Sequence, residues 1–135
     1  MGQSLVILVD THIVMWMAFE GDRISREATA AIDDSRRRGD GLAVSDISLL
    51  ELARLASEGQ IRLPTGIELF LQEVERLFVV RPMTARICAG STELPRTFPK
   101  DPADRTIVAT ALVECMPLIT ADREIQRSKL VRTIW

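Results

Sequence analysis

The sequence predicts an α/β three-layer sandwich around a central, mostly parallel sheet of four to five strands. Three observations carry this expectation. Short runs rich in β-branched residues are apolar at every position, as strands buried on both faces require. Helical stretches with apolar stripes alternate with those runs from end to end. The length, 135 residues, suits one domain spanning 1–135, and no internal repeat, low-complexity tract or linker interrupts it.

Leu5 to Val9 is the first strand and stops at Asp10. Residues 12–19 read as a short helix broken by Gly21 and Asp22. Ser25 caps a helix to Arg38 whose stripe is Ala28, Ala31 and Ile32, and Gly39-Asp-Gly41 ends it. Leu42 to Val44 is the second strand, Ser45 to Glu58 a helix with Gly59 as a suitable C′ residue, and Ile67 to Arg76 another amphipathic helix. Leu77 to Val80 is the third strand, closed by Pro82. Thr84 to Thr92 is helical, Leu94 to Lys100 a loop with two prolines, and Asp101 to Cys115 a strong helix. Leu118 to Thr120 is the fourth strand, Asp122 to Gln126 a short helix, and Leu130 to Thr133 a last strand.

Composition narrows the function classes. Apolar residues are 47% and charged residues 27%, which excludes a disordered chain, a collagen-like repeat and a disulfide scaffold. The longest strictly apolar run, Ile13 to Phe19, falls far short of the roughly 20 residues of a bilayer span, so no membrane partner is expected. No signal-peptide pattern is seen at the N-terminus, and cytoplasmic localisation is the expectation. Cys88 and Cys115 lie among apolar neighbours outside any C-x-x-C, as buried thiols of a reducing compartment would. Net charge is −2, but the cations are biased: only Lys100 and Lys129 are Lys among 17 basic residues. Arg suits bidentate phosphate contacts better than Lys. Arg36-Arg37-Arg38 is either a patch facing nucleic acid or a solvated helix end.

Ligands of open α/β sheets sit beyond the carboxyl ends of the strands. Asp10 directly follows the first strand, Asp122 follows the fourth by two residues, and Glu51 lies in the first turns of the helix after the second. These three belong to one end of the sheet whatever the strand order. Asp104 starts the helix before the fourth strand, and the sequence alone does not place that helix end. Each acid also has a local reading as a helix cap, and Ser48-Leu-Leu-Glu51 and Asp101-Pro-Ala-Asp104 both match a capping box. Periodicity argues further for two of them. Glu51 is in line with Ile47 and Leu55, and Asp104 with Ile107, Val108 and Ala111, so both face inward. Buried carboxylates that converge repel one another, and a divalent cation relieves that penalty. Oxygen ligands without accompanying Cys or a second His select Mg²⁺ or Mn²⁺ over Zn²⁺. His12, the sole His, is expected to be a cap or packing residue. Nucleophile-elbow, dinucleotide and P-loop signatures are absent. A phosphotransfer site would want D-x-D after the first strand, where Asp10-Thr11-His12 stands, and a receiver domain an acidic pair before it, where Leu8 and Val9 stand.

Four segments together resemble the PIN-domain family: Leu8-Val-Asp-Thr-His12; Ser45-x-x-Ser-x-x-Glu51-Leu52; Asp101-Pro-x-Asp-Arg105 with Ile107 and Ala109; and Leu118-Ile-Thr-Ala-Asp122. Within that family the likeness is to VapC-type ribonuclease toxins of bacterial type II toxin–antitoxin modules, and it spans nearly the whole chain. The resemblance implies a catalytic, metal-binding quartet of Asp10, Glu51, Asp104 and Asp122. Ser48, Thr120, Asp101 and Thr11 would support it. Arg105 and Arg123 each follow one of these acids and are candidates either for contacts to flanking RNA phosphates or for local salt bridges to a neighbouring carboxylate. It implies Mg²⁺- or Mn²⁺-dependent hydrolysis of RNA leaving a 5′-phosphate and a 3′-hydroxyl, with Glu51 completing the shell or orienting the water. It also implies an RNA substrate, a cognate antitoxin and a homodimer, for which Val14, Met15, Trp16, Phe19 and Leu50 would be candidate apolar surface. Rival readings are a PIN-like domain that binds without cleaving, a non-toxin housekeeping nuclease, and a small phosphotransfer domain.

Overall fold

The computed structural model describes residues 5–135. The elements run β1 (Ile7–Val9), α1 (Thr11–Phe19), a 3-10 turn (Gly21–Arg23), α2 (Arg26–Arg38), β2 (Leu42–Ser45), α3 (Asp46–Ser57), α4 (Ile67–Leu77), β3 (Val79–Arg81), α5 (Ala85–Thr92), α6 (Pro102–Glu114), β4 (Leu118–Ile119), α7 (Arg123–Ser128) and β5 (Thr133–Ile134). All five strands are parallel, in the order β3-β2-β1-β4-β5. The chain builds outward from β1 to β3 on one side, then returns to start β4 on the other side of β1. The crevice between β1 and β4 is therefore the topological switch point, where open sheets of this kind bind ligands.

The alternation of side chains along β1 divides the interior into two cores. Ile7 and Val9 point to one face with Leu42, Val44 and Ile119, and pack on Ile13 and Val14 of α1, Ala28 and Ile32 of α2, Leu52 of α3 and Val74 of α4. Leu8 points to the other face with Ala43 and Leu118, and packs on Ile107, Val108 and Ala111 of α6, Ile125 of α7 and Phe98. Helices on both faces make the three layers. Among the described residues no helix is long and apolar enough to cross a membrane.

The observed boundaries depart from the expected ones by two residues or more in three strands. Leu5 is exposed and β1 begins only at Ile7. Leu77 closes α4 with its side chain out, so β3 starts two residues later. Lys129 takes a left-handed conformation (φ 56°) that caps α7, so Leu130 and Val131 turn into the second core and β5 forms only at Thr133. Gly39, at φ 73°, closes α2 as its sequence position requires. The two thiols are a correction: Cys88 and Cys115 are both exposed and free. Ile87, not Cys88, is the inward residue of α5, and Cys115 is the left-handed cap of α6 (φ 55°). Val14 is core, whereas Phe19 and Leu50 remain exposed. The Arg36–Arg38 run behaves as a solvated helix end, with Arg37 and Arg38 both paired to Asp34.

Arg105 departs most from expectation. Its guanidinium donates to four backbone carbonyls of the segment before α6: Ser91 and Pro99 at 3.0 Å, Pro95 and Phe98 at 3.3 Å. The fork is thereby committed to the loop and stacks 5.7 Å from the Phe98 ring, so it is not presented to a phosphate. Arg105→Ala is expected to lower the unfolding free energy by about 2–3 kcal/mol, because four charge-assisted bonds to backbone carbonyls are lost together. Arg123→Ala, which removes an exposed side chain, should leave it unchanged; urea unfolding of the two variants checks this.

Candidate active site

Asp10 is the first residue beyond β1, and Thr120 the first beyond β4. The β1–β4 register, Val9 opposite Ile119, sets them side by side. The Thr120 hydroxyl, fully buried, donates to Asp10 Oδ2 at 2.7 Å, and the Thr11 amide donates to Oδ1 at 2.8 Å as α1 begins. Asp10 is 7% exposed, and burial pushes its pKa up; the two hydrogen bonds oppose that shift and the neighbouring Asp122 adds to it.

Glu51 arrives from α3. The helix is capped by Ser45, whose hydroxyl accepts from the Ile47 amide, so the capping box expected at Ser48 and Glu51 does not form. Ser48 is instead fully buried and shares a 2.8 Å hydrogen bond with the Thr11 hydroxyl, which donates to Glu51 Oε1 at 2.5 Å. Thr11, some 40 residues away in sequence, thus ties the Glu51 carboxylate to Ser48 on the same helix. Burial raises the Glu51 pKa, the Thr11 bond lowers it, and the charges of Asp10 and Asp101 raise it further.

Asp122 caps α7 by accepting the Glu124 and Ile125 amides on Oδ1, at 2.8 and 3.2 Å. Asp101 caps α6 by accepting the Ala103 amide, with Pro102 in the first helical position. The capping and site readings of these acids are not alternatives, since each residue satisfies helix amides with one oxygen and faces the cleft. Asp104, one turn into α6, makes no side-chain hydrogen bond among the described residues. Burial, then the charges of Asp10, Asp101, Asp122 and Glu51, push its pKa up to about 7.

The structure places all four acids of the expected quartet, and Asp101, in the walls of one cleft of about 300 Å³. It thereby resolves the position of Asp104, which the sequence left open. Ser48, Thr11 and Thr120 lie behind the acids and orient them. His12, expected to be a cap or packing residue, and Trp16, expected to be apolar surface for a dimer, also line the cleft, and their rings lie 6.4 Å apart. Their i, i+4 spacing on the helix that starts at Asp10 is the signal that places them on one face. Arg123 is exposed beside Asp122.

The donor set is oxygen-rich and anionic, with free oxygens on Asp104 and on the Oδ2 side of Asp122, and so fits a hard divalent cation in kind. Among the described residues no three acidic or soft ligands stand as a ready-made cage. A cation between these carboxylates would relieve their mutual repulsion.

Comparison with known proteins gives the family of the chain. The PIN domain profile matches residues 7–129. The chain is 36% identical over 131 residues to Ribonuclease VapC22 of Mycobacterium tuberculosis, covering 96% of this chain and 98% of that one. Two solved structures share the fold: VapBC2 from Rickettsia felis bound to a promoter DNA fragment (TM-score 0.72, 15% identity, 96% and 97% of the two chains) and DNA-bound VapBC from Salmonella typhimurium (TM-score 0.72, 18% identity, 96% of each). The matched profile covers every acid of the cleft, and the chain belongs to the PIN domain family.

Proposed function

We propose that this chain is a metal-dependent ribonuclease and the toxin of a toxin–antitoxin pair. The single observation that carries the chemistry is Asp104, a half-buried carboxylate without a protein donor in a cleft shared with four other carboxylates. Such crowding is unfavourable in a purely structural site and useful where cation charge is to be concentrated. The relative that is 36% identical is a ribonuclease, and the solved relatives are VapBC assemblies, which supports RNA as substrate and an antitoxin as partner. A homodimer and a cytoplasmic site of action complete the reading.

In this mechanism Asp10, Asp104 and Asp122 would hold the cation, and Glu51 would complete the site. When bound, Mg²⁺ or Mn²⁺ supplies positive charge against the phosphate oxygens and acidifies a nearby water. Thr120 keeps Asp10 Oδ2 aimed into the cleft, and the Ser48–Thr11 relay does the same for Glu51. Glu51, whose basicity is raised by burial, accepts the proton of the attacking water. Arg123 meets a flanking phosphate.

Asp10→Asn and Asp104→Asn are each expected to lower Mg²⁺-dependent RNA cleavage on the order of 100-fold or more, and Thr120→Val by about 10–100-fold through loss of carboxylate orientation. Gel assays on a panel of RNAs, with chelator as control, measure this; normal turnover in both Asn variants would sink the assignment.

A second expectation concerns stability without divalent ions. The Asp104 pKa is higher in the folded chain, about 7, than the ordinary 3.8. Between those values the folded state holds the proton that the unfolded state has released. The Asp104 contribution therefore makes stability fall as pH rises from about 4 to 7 and level off above. Asp104→Asn should flatten that decline and raise stability at pH 7.5 by about 1–2 kcal/mol, after allowance for solvent screening of a half-buried group. Millimolar Mn²⁺ should raise the melting temperature of the parent chain and have much less effect on the variant, as differential scanning fluorimetry would show.

A further inference from the structure

The described residues form a second hollow, roomier than the acidic cleft. A cavity of about 560 Å³ opens between the loop before α6 and the helix α7. Arg96, Lys100 and Arg127 stand around it, and Pro95, Pro99 and Leu130 form its apolar walls. All three cations are exposed, and none makes a hydrogen bond or ion pair among the described residues. Other exposed cations, such as Arg26, Arg54, Arg62 and Arg86, are also without an ion pair among the described residues, and what sets these three apart is that they stand around one hollow. Glu124 is the sole acid among the lining residues.

Two chain segments join this hollow to the cleft. Lys100 lines the hollow and the next residue, Asp101, lines the cleft; Asp122 lines the cleft and Glu124, two residues on, lines the hollow. The hollow is also stiffly built on its loop side, since the carbonyls of Pro95, Phe98 and Pro99 are the ones gripped by Arg105. Next along the chain from a cleft that repels a polyanion, the hollow groups three unpaired cations with one acid.

We propose that the hollow is a second RNA subsite, which holds the phosphodiester backbone of single-stranded RNA a short distance from the scissile bond. Arg96, Lys100 and Arg127 take the phosphates, and Pro95, Pro99 and Leu130 pack against the nucleoside. The proposal rests on the ribonuclease reading for the identity of the ligand, and its test separates the two.

Binding of a fluorescein-labelled single-stranded RNA of about 20 nucleotides is followed by anisotropy in Mg²⁺, with Asp104→Asn as the cleavage-blocked background. Adding Arg96→Ala and Arg127→Ala is expected to weaken binding roughly 10-fold and to make the log–log salt slope shallower by about 1.4, from two lost single-strand phosphate contacts. Adding Glu124→Gln instead should tighten binding a few-fold, a change of opposite sign that a folding defect would not produce. In the otherwise unmutated chain, Arg96→Ala/Arg127→Ala should lower kcat/KM for the long RNA and leave cleavage of a dinucleotide, too short to reach the hollow, unchanged. Unchanged RNA affinity in both the double-Ala and the Gln variants overturns the proposal, and so does an equal loss on long and dinucleotide substrates. Failure of the parent chain to cut either RNA overturns the ribonuclease reading alone, because the anisotropy result does not depend on turnover.

Discussion

Parallel pairing of β1 with β4 is the constraint on which the site depends. It sets the two strand ends in register, so that one strand delivers Asp10 and the other the buried hydroxyl that holds it. The β1–β2 pairing then brings the start of α3 close enough for Thr11 to reach both Ser48 and Glu51. A slip of one residue in either pairing would turn these side chains to the wrong face of the sheet. The apolar alternation that divides Ile7 and Val9 from Leu8 fixes the register, so the packing of the two cores and the aim of the carboxylates are one problem with one solution.

The same geometry explains why the cleft is both built and uneasy. Most of its acids serve local structure with one oxygen: Asp10, Asp101 and Asp122 each satisfy helix-start amides. Helix starts favour negative charge, which offsets part of the cost of gathering carboxylates there. Asp104 has no such compensation, and burial and the charges of Asp10, Asp101, Asp122 and Glu51 all push its pKa up. The site thus divides into anchored acids and one held only by its helix, and α6 can place that acid because its apolar face is locked against the sheet by Ile107, Val108 and Ala111.

Much of this was legible in the residues. Strands apolar at every position announced a parallel sheet with covered faces, and the acids that follow β1 and β4 announced the edge where a ligand would sit. What the sequence did not contain was the path of α6, because a helix that precedes a strand is placed by packing and not by its own periodicity; only the resemblance to a family put Asp104 at the cleft. Single-residue motifs misled where tertiary contacts outcompeted local ones. Ser48 and Glu51 match a capping box, yet Thr11 claims both side chains. Cys88 sits among apolar letters, yet Ile87 holds the inward position of its helix. Arg105 follows an acid of the site, but its reach back to four carbonyls depends on a loop whose shape no propensity specifies.

Those four carbonyls link the loop to the helix that carries Asp104, since gripping residue and acid are neighbours in sequence. Residues 92–100 are consequently not a free module. A segment exchanged in from a relative would be accommodated only if its backbone offered oxygens at the same stations, so variation in length here is coupled to the identity of position 105, and a chain that lost the arginine would have to rebuild the entrance to its own α6.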